Sequence, residues 1–272
     1  MEPTIIAHRG FAGIAPENTV GAALAAAERG AEMIEVDVQP AACGTPVVFH
    51  DDRLEGTRNG RPITDAEGVV WETPLETVTS AAVLDGETVP TLARLLEALP
   101  ESVGVNLELK NPGTADLRFG EALSEEEREE RRELWMPFLE RVLADCDAFE
   151  GEILFSSFCE GAIAALREVA PEYAAAPLVW GSLEDGLEVA RHYDCEAIHP
   201  PLNAVAGTAM AGDAYHGLPA EEPEVDVLEV AHEEGRAVNV WTVENWVQFD
   251  ELREAGVDGI IADYPGLGAV SR

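Results

Sequence analysis

A single (β/α)8 barrel, an α/β fold, is what this sequence predicts, on three observations. Its 272 residues suit one large domain or two small ones. Eight short apolar runs rich in β-branched residues alternate with segments whose apolar residues recur near i, i+3, i+4. No G-x-G-x-x-G turn follows the first run, which disfavours the competing open, doubly wound sheet. Residues 1–272 are therefore expected to form one barrel domain, with no linker and no internal repeat.

In chain order the strands are predicted at 4–7, 33–38, 103–109, 153–156, 176–179, 197–199, 237–243 and 259–262. Helices are predicted between them at 19–29, 91–98, 124–145, 160–169, 183–192, 224–234 and 246–254. A ninth apolar run, 46–49, follows the second strand too closely for a helical crossover, so it must return as a hairpin arm. With the turn placed at Cys43-Gly44-Thr45, paired residues sum to about 88 and His50 falls beside Val38 and Asp37. Three long segments, 51–90, 111–123 and 203–223, follow strand C-termini, where barrels carry functional loops. The first reads as a small insertion. The acidic, arginine-laced stretch 125–133 reads as a solvated helix face.

Composition narrows the function. At 46% hydrophobic, the chain can bury a substantial core, which excludes wholesale disorder. Fifty-three acidic against seventeen basic residues give a net charge of −36, a field that repels nucleic acid and anionic lipid. Such self-repulsion is tolerable where concentrated salt screens it, which points to a halophilic source. No apolar stretch of about 20 residues and no basic leader is visible, so neither membrane insertion nor export is expected. The four cysteines lack zinc-ligand spacing and read as reduced thiols of a cytoplasmic protein. No pattern in the sequence specifies an oligomeric state.

The chemistry lies at alternating strand positions. Glu35 and Asp37 point to one face of their strand while Ile34, Val36 and Val38 pack on the other. Asn106, Glu108 and Lys110 repeat that pattern, and Lys110 is the only lysine in the chain. Carboxylates gathered in a barrel mouth are costly to desolvate unless a cation joins them. An all-oxygen set favours Mg²⁺ or Ca²⁺ over zinc. His8-Arg9-Gly10 ends the first strand, bringing an imidazole and a guanidinium to the same mouth, and His50-Asp51 arrives on the hairpin arm. The two histidines can then exchange protons with an attacking hydroxyl and a leaving alcohol. Arg9 and Lys110 stabilise phosphoryl charge, and the sum is phosphodiester cleavage.

These residues resemble the glycerophosphodiester phosphodiesterase family. The resemblance runs through His8-Arg9-Gly10, Pro16-Glu17-Asn18-Thr19, Glu35-Val36-Asp37, His50-Asp51, Val89-Pro90-Thr91-Leu92, Glu108-Leu109-Lys110 and Trp241-Thr242-Val243, then 256–265. It implies a barrel with an insertion at 51–90 and a divalent cation on Glu35, Asp37 and Glu108. It also implies His8 and His50 as acid and base, and phosphate contacts from Arg9 and Lys110. Trp241 would line the substrate cleft or simply pack in the core. The substrate would be a small glycerophosphodiester, attacked by its own glycerol hydroxyl to give a cyclic phosphate that water opens.

Two motifs depart from the family pattern: the hairpin turn reads Ala41-Ala42-Cys43-Gly44, and Glu55-Gly56-Thr57 stands where an Arg-Thr pair is expected. Glu17 and Asn18 read as helix caps. His199 and Asp263 read as supporting groups, and His192, His216 and His232 as surface residues. The rival readings are a phospholipase C-like or D-like enzyme acting on intact lipid and a non-catalytic binding protein. The first is disfavoured because the sequence shows neither a basic amphipathic helix nor an exposed aromatic cluster.

Overall fold

Strands apolar on one face and mixed on the other need helices outside and a filled barrel inside. The computed structural model describes residues 2–268 apart from 59 and 85. Its strands are β1 (Thr4–His8), β2 (Met33–Pro40), β3 (Pro46–Val48), β4 (Thr57–Arg58), β5 (Arg61–Pro62), β6 (Gly104–Leu109), β7 (Ile153–Ser157), β8 (Ala174–Pro177), β9 (Ala197–Ile198), β10 (Ala237–Val243) and β11 (Gly259–Ala262). Its α-helices are α1 (Val20–Glu28), α2 (Leu75–Ser80), α3 (Leu92–Ala98), α4 (Glu125–Cys146), α5 (Glu160–Val169), α6 (Leu183–His192), α7 (Val227–Glu233) and α8 (Trp246–Ala255).

Eight strands pair in parallel in the order β8-β7-β6-β2-β1-β11-β10-β9. The ring is completed by a parallel bridge between Leu178 and His199. There the Val179 N–H donates to the His199 carbonyl and the His199 N–H to the Pro177 carbonyl, both at 2.9 Å. The result is the nearly closed (β/α)8 barrel that the alternation predicts.

Strand alternation divides the core. Ile34, Val36 and Val38 of β2 and Val105, Leu107 and Leu109 of β6 pack outward with helix residues such as Leu95, Leu139 and Ile163. Inside the ring, Ile6, Met33, Leu154, Ala176, Ala197, Trp241 and Ile261 form a separate apolar plug. Each fully buried Leu, Ile or Val contributes about 1.5–3 kcal/mol. With the lower barrel filled, the polar ends of the same strands open only at its C-terminal rim.

Local signals set the helix starts. The Thr19 hydroxyl accepts from the Ala22 N–H at the start of α1, and Ser124 with Glu127 forms a capping box on α4. The helix predicted at 224–234 begins later, at Val227, because Asp226 caps it by accepting from the Glu229 N–H. Segment 51–90 is more ordered than its loop-like sequence suggests, holding the β4–β5 ribbon and α2. Its Leu54, Val70, Val78 and Val89 pack with Val47 and Phe49 of the arm around β3.

The hairpin register needs correction. Val38 pairs with Val48 and Pro40 with Pro46, so partners sum to 86 and His50 passes beyond Asp37 instead of lying opposite Val38. The turn closes earlier than expected, with Ala41 N–H donating to the Thr45 carbonyl and Gly44 N–H to that of Ala41. Among the described residues no helix is long and apolar enough to cross a membrane.

Candidate active site

Parallel register assembles the carboxylates. β1 sets His8 beside Glu35 of β2, and β2 sets Asp37 beside Glu108 of β6. Neighbouring strands lie about 4.8 Å apart, so residues matched in register and facing inward must meet. One ligand oxygen from each of Glu35, Asp37 and Glu108 lies within 4.8 Å of the other two.

Each carboxylate is held by one oxygen. Glu35 Oε2 accepts from the Arg9 backbone N–H at 2.9 Å, and Asp37 Oδ2 from Asn18 Nδ2 at 2.7 Å. Glu108 Oε1 lies 2.8 Å from Lys110 Nζ. Glu35 Oε1 and Asp37 Oδ1 are buried and accept no hydrogen bond. Burial, followed by the charges of Asp37 and Glu108, pushes the Glu35 carboxyl well above the usual carboxylate range. Burial acts to raise Asp37 as well, but Arg9, His50 and Lys110 outweigh it and hold that carboxyl far below its ordinary value. A trio with oxygens both buried and without donors suits a hard, oxygen-seeking cation, and it could hold a metal ion.

Basic groups surround the trio. Arg9 Nε lies 3.1 Å from Asp37 Oδ2, and its Nη1 donates to Glu17 Oε1 at 3.0 Å. Lys110 Nζ, 3.7 Å from Asp37 Oδ1, also sits 5.7 Å from the centre of the Phe158 ring. Gly10 lets the chain turn here: φ is +78°, and a Cβ would stand 2.8 Å from the Ala22 backbone in α1.

Both histidines have Nδ1 tied to a carboxylate: His8 to Asp263 at 2.6 Å and His50 to Asp51 at 2.8 Å. This fixes each ring and leaves its Nε2 for other partners. Burial, then the Arg9 charge, lowers the His8 pKa, while Asp263 opposes the shift. Burial with Arg9 and Lys110 takes His50 down to about 4.

His8, Arg9, Glu35, His50, Glu108, Lys110 and Trp241 all line one cleft of about 630 Å³. Part of its lining is aromatic. Phe119 stacks on Phe158 with ring centres 4.5 Å apart, and Trp180 stacks on Trp241 at 6.1 Å and an interplanar angle of 9°. Trp241 also donates from Nε1 to the His199 carbonyl at 2.9 Å, so it both packs and lines the cleft.

The profile of the Glycerophosphoryl diester phosphodiesterase family matches residues 8–267. The chain belongs to that family. It is 27% identical to the glycerophosphodiester phosphodiesterase of Caldanaerobacter subterraneus subsp. tengcongensis, over 97% of this chain and 96% of that protein. A glycerophosphodiester phosphodiesterase of Bacillus altitudinis is 26% identical, over 96% of this chain and 94% of its own length. Among solved structures, an Oleispira antarctica phosphodiesterase in complex with the product sn-glycerol-3-phosphate has a TM-score of 0.75 and 26% identity, with 99% of this chain and 97% of that one covered.

Several groups in and behind the cleft of this family member escape sequence reasoning. Asn18 and Glu17 are not helix caps: Asn18 brackets Asp37 through both its amide atoms, and Glu17 receives Arg9. Gln39, buried in β2, donates from Nε2 to the carbonyls of Phe49 and Asp51, both at 2.8 Å, and so fixes the backbone on either side of His50. The alternation Glu35, Asp37, Gln39 carried that signal. His216 is exposed, as expected of a surface residue, but Tyr215, hydrogen-bonded to the Thr242 backbone, sets it at the cleft beside Trp241. Exposed aromatic surface does exist, since Phe119 is 39% exposed at the cleft wall. Sequence gave no sign of it because its rings come from separate loops.

Proposed function

We propose that this protein hydrolyses glycerophosphodiesters to glycerol phosphate and an alcohol, using His8 and His50 as general acid and base. The observation that carries the reading is the convergence of both carboxylate-oriented histidines, Arg9, Lys110, Glu35 and Glu108 on one cleft, with the buried Asp37 beside the two glutamates. The product named for the Oleispira antarctica relative supports glycerol phosphate here as well.

In this mechanism Arg9 and Lys110 hold the phosphate and offset its charge. Glu35, Asp37 and Glu108 would hold Mg²⁺ or Ca²⁺, which supplies Lewis-acid stabilisation of phosphoryl charge when bound. One imidazole takes the proton of the substrate's neighbouring glycerol hydroxyl as that oxygen attacks phosphorus. The base must start neutral, the form that burial favours, and the acid must start protonated, the form that the carboxylate on its Nδ1 favours. The other imidazole delivers a proton to the leaving alcohol. Reversal of the two roles lets water open the resulting cyclic phosphate. Trp241 forms part of the wall against which the substrate lies.

Incubation with Mg²⁺ or Ca²⁺ and glycerophosphocholine, glycerophosphoethanolamine, glycerophosphoglycerol or glycerophosphoinositol is expected to release glycerol phosphate. No release from any of the four contradicts the reading. The aromatic wall gives the lipid phosphodiesterase alternative a specific foothold, and faster cleavage of liposomes than of soluble diesters would favour it.

The same reading takes residues 1–272 as one domain with an insertion at 51–90, working in the cytoplasm of a halophile. The net charge of −36 sets the corresponding expectation. Thermal stability and activity both rise between dilute buffer and about 3 M KCl, where the Debye length falls below about 3 Å. Equal melting temperatures at both salt levels would remove the halophile inference.

A further inference from the structure

Arg58 belongs to no residue pattern that points to the site, yet it lines the cleft. It stands on β4, in segment 51–90, two residues beyond Gly56. Position 56 admits no side chain without disturbance: its φ is +149°, and a Cβ would meet Ile63 Cδ1 at 2.7 Å.

Its contacts reach two groups already engaged with proposed reacting residues. Arg58 Nη2 lies 3.1 Å from Asp51 Oδ1 and 2.9 Å from Asp51 Oδ2, and the same Oδ1 is 2.8 Å from His50 Nδ1. Arg58 Nη1 donates to Glu17 Oε1, the atom that also receives Arg9 Nη1. A continuous chain thus runs His50–Asp51–Arg58–Glu17–Arg9 and ends on Asp37.

An isolated, partly exposed ion pair would contribute little. This one differs because a rigid fork spans two carboxylates, each committed on its far side to a different group. Without the guanidinium, Glu17 would keep only Arg9 and Asp51 only His50, with nothing to hold either carboxylate in place from its other side.

We propose that Arg58 is a positioning residue, holding Asp51 against His50 and Glu17 against Arg9 so that the imidazole and the guanidinium meet the same phosphate. The proposal rests on the diesterase reading for its kinetic consequence but not for its structural one.

Both consequences are tested with Arg58→Ala, Arg58→Gln and Arg58→Lys. Arg58→Ala is expected to lower kcat for glycerophosphodiesters roughly ten- to hundredfold with KM changed less than about threefold. Arg58→Lys keeps the charge but cannot span both carboxylates, so it recovers only part of kcat. In metal-free protein, imidazole ¹⁵N shifts of His50 are expected to move from a single Nδ1–H tautomer to a mixture in Arg58→Ala. Should that variant fail to fold, Arg58→Gln carries the same two measurements. Unchanged kcat with an unchanged His50 tautomer overturns the proposal. A loss confined to KM also overturns it, since Arg58 would then bind substrate directly. If the wild type releases no glycerol phosphate the functional reading fails by itself, and the tautomer comparison still decides the role of Arg58.

Discussion

His50→Ala and His8→Ala are each expected to lower kcat by about 10²–10⁴-fold, the usual range for a positioned acid or base. Both rings are part-exposed in the cleft, so neither change should remove much core packing, and the melting temperature should stay within a few degrees of the wild type. The loss is therefore chemical. Asp263→Asn and Asp51→Asn leave the imidazoles in place but weaken what fixes them, at a smaller cost of roughly ten- to hundredfold. Initial rates of glycerol phosphate release, with thermal melts on the same samples, separate these effects. Either histidine variant retaining rates within about threefold of wild type would remove that ring from the mechanism.

The carboxylate trio gives the second large effect, and its members should not behave alike. Asp37 is fully buried between Arg9, Lys110 and Asn18. Asp37→Asn leaves those cations short of a partner and is expected to cost about 3–5 kcal/mol of stability, as for other broken buried pairs. Glu35 instead suffers from burial and from its acidic neighbours. Glu35→Gln relieves that repulsion, so metal-free protein should be no less stable than wild type. Both variants should lose the stabilisation by Mg²⁺ or Ca²⁺, which in wild type reaches about 2.7 kcal/mol when the ion is present at a hundred times its Kd. Urea denaturation of the wild type and both variants, with and without the ion, measures each of these. Equal stability losses for the two variants would show that the trio is held together by something other than shared charge.

What could be read from the sequence follows from what strands impose locally. A period of two places Glu35 with Asp37 and Glu108 with Lys110 on one face of each strand, and a barrel leaves such pairs little choice but to converge. The strand alternation likewise gave the fold. Asp263 is named by the sequence as a supporting group but its partner is not, because it reaches His8 across 255 residues of chain, through closure of β11 onto β1. The hairpin register differs from the sequence expectation for a local reason: a turn closed one residue earlier shifts every partner sum by two, and sequence alone does not specify which backbone hydrogen bonds close it. The aromatic wall and His216 depend on loops that meet only after the barrel forms.

Three buried carboxylates sharing one cation, with two histidines at the phosphate, would be the centre of the mechanism. Crystals grown with Mn²⁺ and glycerol phosphate, with the metal located by anomalous scattering, test this most directly. One ion is expected at about 2.0–2.6 Å from oxygens of Glu35, Asp37 and Glu108, with the phosphate lying between His8 and His50. An ion bound elsewhere, or phosphate bound in the cleft with the trio still closed on Lys110 and no metal, would contradict it.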